Sequence, residues 1–161
     1  MELLFLGTGT SHGVPEIDCM INDYATCPQD VCRLTKSDPK HNRTRCSILV
    51  RINGKQIIVD TSLDFRAQML RHRIKRIDAV LLTHIHSDHV QGLPDIRSYC
   101  RDHALDVYGS KETISIVQVL LLILRQMDFR FPAAERPPEG GIAEAAPQLE
   151  DALWPADGGE L

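Results

Sequence analysis

Apolar positions fall into short blocks separated by glycine, proline and polar runs. Block length predicts strands through the front of the chain and a helix towards residue 130. Leu3 to Leu6 is an apolar run stopped by Gly7-Thr8-Gly9, which predicts a buried strand and a tight turn. Cys46 to Ile52 and Lys55 to Val59 flank Asn53-Gly54, the strongest short hairpin signal. Asp60-Thr61-Ser62 breaks the second of these strands. Ser62 or Asp64 can then cap a helix on which Phe65, Met69 and Leu70 share a face. Ile77 to Leu82 predicts another strand and Leu105 to Tyr108 a further one. Gly92-Leu93-Pro94-Asp95 has Pro where a helix starts, and Lys111 to Phe129 has the length and apolar content of a buried helix. A hairpin followed by alternating strands and helices predicts a mixed α/β layer design. Residues 11–44 break the pattern. They lack periodicity and carry Pro15, Pro28 and Pro39, and so long an irregular segment in a compact domain is usually functional or held by a metal.

Composition narrows the classes. With 161 residues there is room for one domain with a real core, and a net charge of −4 removes whole-chain basicity as an argument for nucleic acid. No apolar stretch approaches the roughly 18 residues of a membrane span, and Glu2 follows Met1 with no basic n-region, so no signal peptide is expected. Five cysteines, an odd number, beside seven histidines suit reduced thiols and metal better than a disulfide framework. A cytoplasmic protein without membrane partners is the expectation. Charge is uneven, because residues 131–161 hold seven acidic side chains against Arg136 alone. That segment also carries five of the nine prolines and four of the ten glycines, and reads as a poorly ordered acidic tail behind a domain over 1–130.

The chemistry concentrates in His84-x-His86-x-Asp88-His89, directly after the strand predicted from Ile77. If that strand runs extended into its loop, His84 and His86 project to the same side and can bind one ion. Asp88 and His89 follow after a turn and suit a second ion about 3.5–4 Å away. An imidazole–carboxylate set fits zinc, manganese or iron. The bland alternative is a solvated histidine-rich turn. Three histidines and an aspartate within six residues, next to a core, weigh against it.

At this point the sequence resembles the metallo-β-lactamase-fold hydrolases, whose hallmark is this HxHxDH loop. Leu6-Gly7-Thr8-Gly9-Thr10-Ser11-His12-Gly13-Val14-Pro15 is similar to the start of their phosphodiesterase subgroup, that of the carbon–phosphorus lyase accessory phosphodiesterase and, more distantly, tRNase Z. Ile58-Val59-Asp60-Thr61 with Asp64-Phe65-Arg66, and Gly92-Leu93-Pro94-Asp95-Ile96-Arg97, extend the likeness over residues 1–130. The resemblance implies an αββα sandwich of which this chain carries the N-terminal half. It implies two divalent ions, zinc or manganese, with His84 and His86 on the first and Asp88 and His89 on the second. Asp60 would orient ligands from behind. A metal-activated hydroxide would attack a small-molecule phosphodiester, with Asp88 holding a metal and accepting a hydrogen bond from the nucleophile. Nucleic acid is a less favoured substrate.

Other residues carry open alternatives. Cys19, Cys27 and Cys32 resemble the subgroup's cysteines for a structural zinc, although an insertion separates the first two, and the alternative is free loop thiols. Cys46 and Cys100 read as small buried apolar residues. His12 either reaches a substrate phosphate or packs, and Arg66 reads as a structural ion-pair partner. By resemblance a third histidine, a bridging aspartate and a final histidine should follow, yet no histidine comes after His103. The expectation is therefore a truncated chain whose half-sandwich leaves one sheet face uncovered, completed by a homodimer or by a C-terminal half. The competing functional readings are a catalytically inactive metal-binding fragment and a thioester or lactam hydrolase of the same fold.

Overall fold

The computed structural model describes residues 1–101, 104–123 and 129–131. The acidic segment beyond Phe131, and His103, lie outside the described residues.

Six strands form one sheet in sequence order: β1 (Glu2–Gly7), β2 (Ser47–Ile52), β3 (Lys55–Val59), β4 (Ala79–Leu81), β5 (Leu105–Tyr108) and β6 (Phe129–Arg130). The Asn53-Gly54 turn behaves as its chemistry predicts. Both residues have positive φ, 49° and 74°, the twist that brings β2 and β3 back antiparallel. β1 is antiparallel to β2, whereas β3, β4, β5 and β6 are mutually parallel. Strands β1, β3, β4 and β5 therefore point the same way, and their carboxyl ends share one rim of the sheet.

Register explains which face is core. Leu4, Leu49, Ile58, Val80 and Val107 lie opposite one another in a single row across five strands, and the last four are at most 1% exposed. Helix α3 (Phe65–His72), helix α5 (Leu93–Ile96) and helix α6 (Lys111–Ile123) add Phe65, Met69, Leu93, Ile96, Val117 and Leu121 to the same cluster. The Phe65 ring meets Tyr99 edge-on at 6.4 Å, and the Tyr99 hydroxyl donates to the Ile74 carbonyl at 2.8 Å. The adjacent row, Phe5, Ile48, Val59, Leu81 and Tyr108, projects from the opposite face. There Phe5 is 58% and Tyr108 37% exposed, while Val50 and Ile57 of the neighbouring row are buried. Leu3 of that neighbouring row is also 52% exposed, so this sheet face is uncovered at Leu3, Phe5 and Tyr108 and covered at Val50 and Ile57.

Several expectations need correction. Leu70 does not share the face of Phe65 and Met69; it is 63% exposed, because five residues on is roughly 140° round a helix. Gln68 takes the buried place, donating to the Arg45 carbonyl at 2.8 Å. The helix predicted to reach Phe129 is described over Lys111–Ile123, and Phe129 itself is not helical but pairs in parallel with Leu105. A short apolar run fits a buried strand as well as a helix, so pattern alone could not choose. Cys46 is exposed rather than buried, while half-buried Cys100 follows a 3-10 turn and packs on the core. The irregular stretch holds two short helices, α1 (Ile17–Ile21) and α2 (Val31–Leu34).

Gly92 marks where the core tolerates no side chain. A Cβ there would lie 2.4 Å from the Ser62 carbonyl oxygen and 2.5 Å from Phe65 Cβ. The contact joins the segment after the histidine loop to the turn after β3, where Gly92 N–H donates to Thr61 O at 2.9 Å. Gly92→Ala is expected to destabilise the protein by about 1–3 kcal/mol through overpacking, read as a lowered urea midpoint at unchanged m. An unchanged midpoint would show that the close approach is not needed.

Candidate metal centre

The loop between β4 and β5 carries the four predicted ligands. Strand β4 stops at Leu81, and Leu82 N–H donates to Tyr108 O at 2.8 Å, so the chain continues extended beside β5 before turning. His86 is the N-cap of helix α4 (Ser87–Val90), which places Asp88 and His89 in its single turn. The imidazoles converge. His84 lies 4.5 Å from His86 and 4.0 Å from His89, ring centre to ring centre. His89 Nε2 is 3.3 Å from Asp88 Oδ2, close to the separation of two donors bound at about 2.0–2.1 Å to one tetrahedral ion. No three of these four residues gather their donor atoms within one 4.8 Å group, so the loop supplies pairs of donors rather than a closed site.

Asp60 touches the cluster through Thr83 and His89. It follows β3 in a left-handed conformation (φ 60°), which aspartate tolerates better than most residues, and its side chain is buried. Its Oδ1 accepts the Thr83 backbone N–H at 2.8 Å; its Oδ2 accepts the Thr83 hydroxyl and His89 Nδ1, each at 2.7 Å. The Thr83 hydroxyl has one proton, already given to Asp60, so it accepts from His84 Nδ1 at 2.9 Å. One carboxylate thereby sets two tautomers, leaving the Nε2 lone pairs of His84 and His89 free to bind a cation. Burial, reinforced by the His89 and His86 rings, holds His84 below the ordinary imidazole pKa. The Thr83 relay was not read from the sequence; a hydroxyl directly before the first histidine was its only signal.

The cysteines form a second donor group. Sγ atoms of Cys19, Cys27 and Cys32 lie within 4.8 Å of one another, where tetrahedral zinc would set them about 3.8 Å apart. Burial pushes the Cys19 thiol up to about 12, with the Cys32 and Cys27 side chains adding to it. Burial also acts to raise Cys27, but the Arg33 and Cys32 backbone N–H groups outweigh it and hold that thiol low; Cys32 N–H donates at 3.2 Å. Among the described residues no fourth cysteine, histidine or carboxylate joins the group. Arg66 makes no ion pair among the described residues; Arg45 binds Asp64 instead, at 3.2 Å.

Fold and rim define the class. Residues 55–139 match the beta-lactamase superfamily domain, and the chain belongs to that family. An octanoyltransferase of Porphyromonas gingivalis is 42% identical over 120 residues, 73% of this chain and 22% of that protein. A ribonuclease Z of a Bradyrhizobium strain is 37% identical over 87 residues, 50% of this chain and 29% of the enzyme. Among solved structures, a diphosphatase of the PhnP family superposes with a TM-score of 0.68 at 33% identity, covering 83% of this chain and 51% of its own. Zinc-bound PqqB of Methylobacterium extorquens, at 24% identity and TM-score 0.62 over 78% of this chain and 42% of its own, shares the fold. The chain thus spans about half the length of the diphosphatase and a smaller share of the two curated relatives.

Proposed function

We propose that this chain carries the metal-binding half of a metal-dependent phosphodiesterase. The observation that supports it best is the Asp60 carboxylate reaching both His89 and, through Thr83, His84, which leaves two Nε2 atoms free at one rim. His84 and His86 would hold one divalent ion, and Asp88 and His89 a second; zinc and manganese both suit these donors. When bound, such ions lower the pKa of water and neutralise charge on phosphoryl oxygens. Asp88 would give the ion it shares with His89 one carboxylate oxygen, Oδ2, which lies 3.3 Å from His89 Nε2, and keep the other to accept a hydrogen bond from an attacking water. Cys19, Cys27 and Cys32 would hold a structural zinc, tying the irregular segment together in place of periodic packing.

The similarity to a diphosphatase and to ribonuclease Z favours phosphorus as the centre attacked, with a small-molecule phosphodiester as substrate. We infer that the remaining ligands come from a second βα half, whether of a longer chain or of a second copy. Assayed with zinc or manganese, the protein is expected to hydrolyse a cyclic phosphodiester at least about tenfold faster than a thioester, a margin of about 1.4 kcal/mol in barrier. Faster thioester turnover would overturn the reading. Metal-replete protein inert towards both would favour a non-catalytic metal-binding half-domain.

A further inference from the structure

Two adjoining cavities, of about 270 and 190 Å³, lie apart from the histidine loop, and none of its four candidate ligands lines either. Asn42, Arg43, Thr44 and Arg71 line both cavities, so the two form one groove between the β1 end of the sheet and helix α3. His12 stands at one end and His72 at the other. Arg33, Arg45, Arg51 and Arg76 are each paired with a carboxylate, whereas Arg43 and Arg71 have no ion pair among the described residues. Arg66 also lacks an ion pair among the described residues, so what marks this groove is that two such arginines line it together. The groove's own acid, Asp64, is already neutralised by Arg45, which also donates from Nε to Ser11 O at 2.7 Å. What remains is uncompensated positive charge on a fixed frame. Arg43 is held by two backbone hydrogen bonds with Val14, both 2.9 Å.

We propose that this groove is a phosphoryl subsite in which Arg43 and Arg71 clamp a phosphate group other than the one attacked. Arginine forks match phosphate oxygens in pairs, and Arg43 and Arg71 line both parts of the groove. Three strand spacings of about 4.8 Å separate β1 from β4 in the sheet, so a ligand reaching both the groove and the histidine loop spans on the order of 14 Å. The phosphoryl group is therefore either a remote phosphate of the substrate or a free phosphate ion. The subsite bears on the proposed phosphodiester reading but does not need the metal ligands.

The test is calorimetric titration of inorganic phosphate into the full chain at constant ionic strength, in four proteins. Wild type and His84→Ala/His86→Ala are expected to bind alike. Arg43→Ala/Arg71→Ala is expected to lose at least about tenfold in affinity, and Arg66→Ala, an exposed arginine outside the groove, to lose nothing. Both groove arginines are exposed and unpaired, so an unchanged melting temperature will show that the double variant folds. Equal binding by the double variant and wild type would overturn the subsite. Loss of binding only in the histidine variant would place the phosphate at the histidine loop and overturn it too. Titrating a dinucleotide with and without a terminal phosphate then separates the sources. A tenfold gain from that phosphate, lost in the double variant, assigns the groove to substrate; no gain, with phosphate binding intact, assigns it to the free ion.

Discussion

Asp60→Ala is expected to cost the protein about 3 kcal/mol or more and to abolish tight metal binding at the rim. The buried carboxylate accepts three hydrogen bonds, from Thr83 N–H, the Thr83 hydroxyl and His89 Nδ1. Hydrogen bonds to a charged group contribute roughly 1.5–3 kcal/mol each, and donors left behind in a buried place cost their own desolvation. Alanine also tolerates the left-handed backbone at this position poorly. Asp60→Asn separates the two effects. It keeps the shape, one acceptor oxygen and the tolerance for positive φ, so stability falls much less. Its amide presents N–H where Thr83 and His89 now donate, so the imidazole tautomers are no longer fixed. Loss of such an orienting group typically weakens metal binding about 10–100-fold. Urea melts and metal titrations of both variants check this, and an alanine variant as stable as wild type would refute the central place given to Asp60.

The second large effect is on turnover. His86→Ala should leave folding within about 0.5 kcal/mol of wild type, because the side chain is exposed at the tip of its loop. Metal-dependent hydrolysis should nonetheless fall roughly a thousandfold or below detection, the counterpart of about 4 kcal/mol of lost charge stabilisation. Paired melting and turnover measurements distinguish this from a folding defect. A variant that melts like wild type and still turns over substrate would remove His86 from the ligand set.

How much of this was legible in the chain depends on how local the cause is. The β2–β3 hairpin follows from Asn53-Gly54 and two β-rich runs, and the turn adopts the backbone those residues favour. The histidine loop is local too, since six residues after one strand contain all its donors. The Asp60 relay joins residues 23 and 29 positions apart, and only the parallel pairing of β3 with β4 brings them together. The resemblance names Cys19, Cys27 and Cys32 together, but only the path of an irregular segment with no period to read brings their sulfurs within 4.8 Å. Leu70 and Phe129 were misplaced for one reason: apolar character announces burial but does not name the partner or, in a short run, the period. The groove was invisible because its residues come from around 12, 43 and 71, and uncompensated charge appears only once neighbouring pairs are known.

The most direct measurement is the metal content of the full chain after loading with zinc or manganese and exhaustive dialysis, beside that of His84→Ala/His86→Ala. Wild type is expected to retain the ion held by His84 and His86, which the double variant loses, over a remainder held by Asp88 and His89 and by Cys19, Cys27 and Cys32 that is the same in both. Equal content in the two proteins would mean that the converging imidazoles hold nothing, and the hydrolase proposal would fall with them.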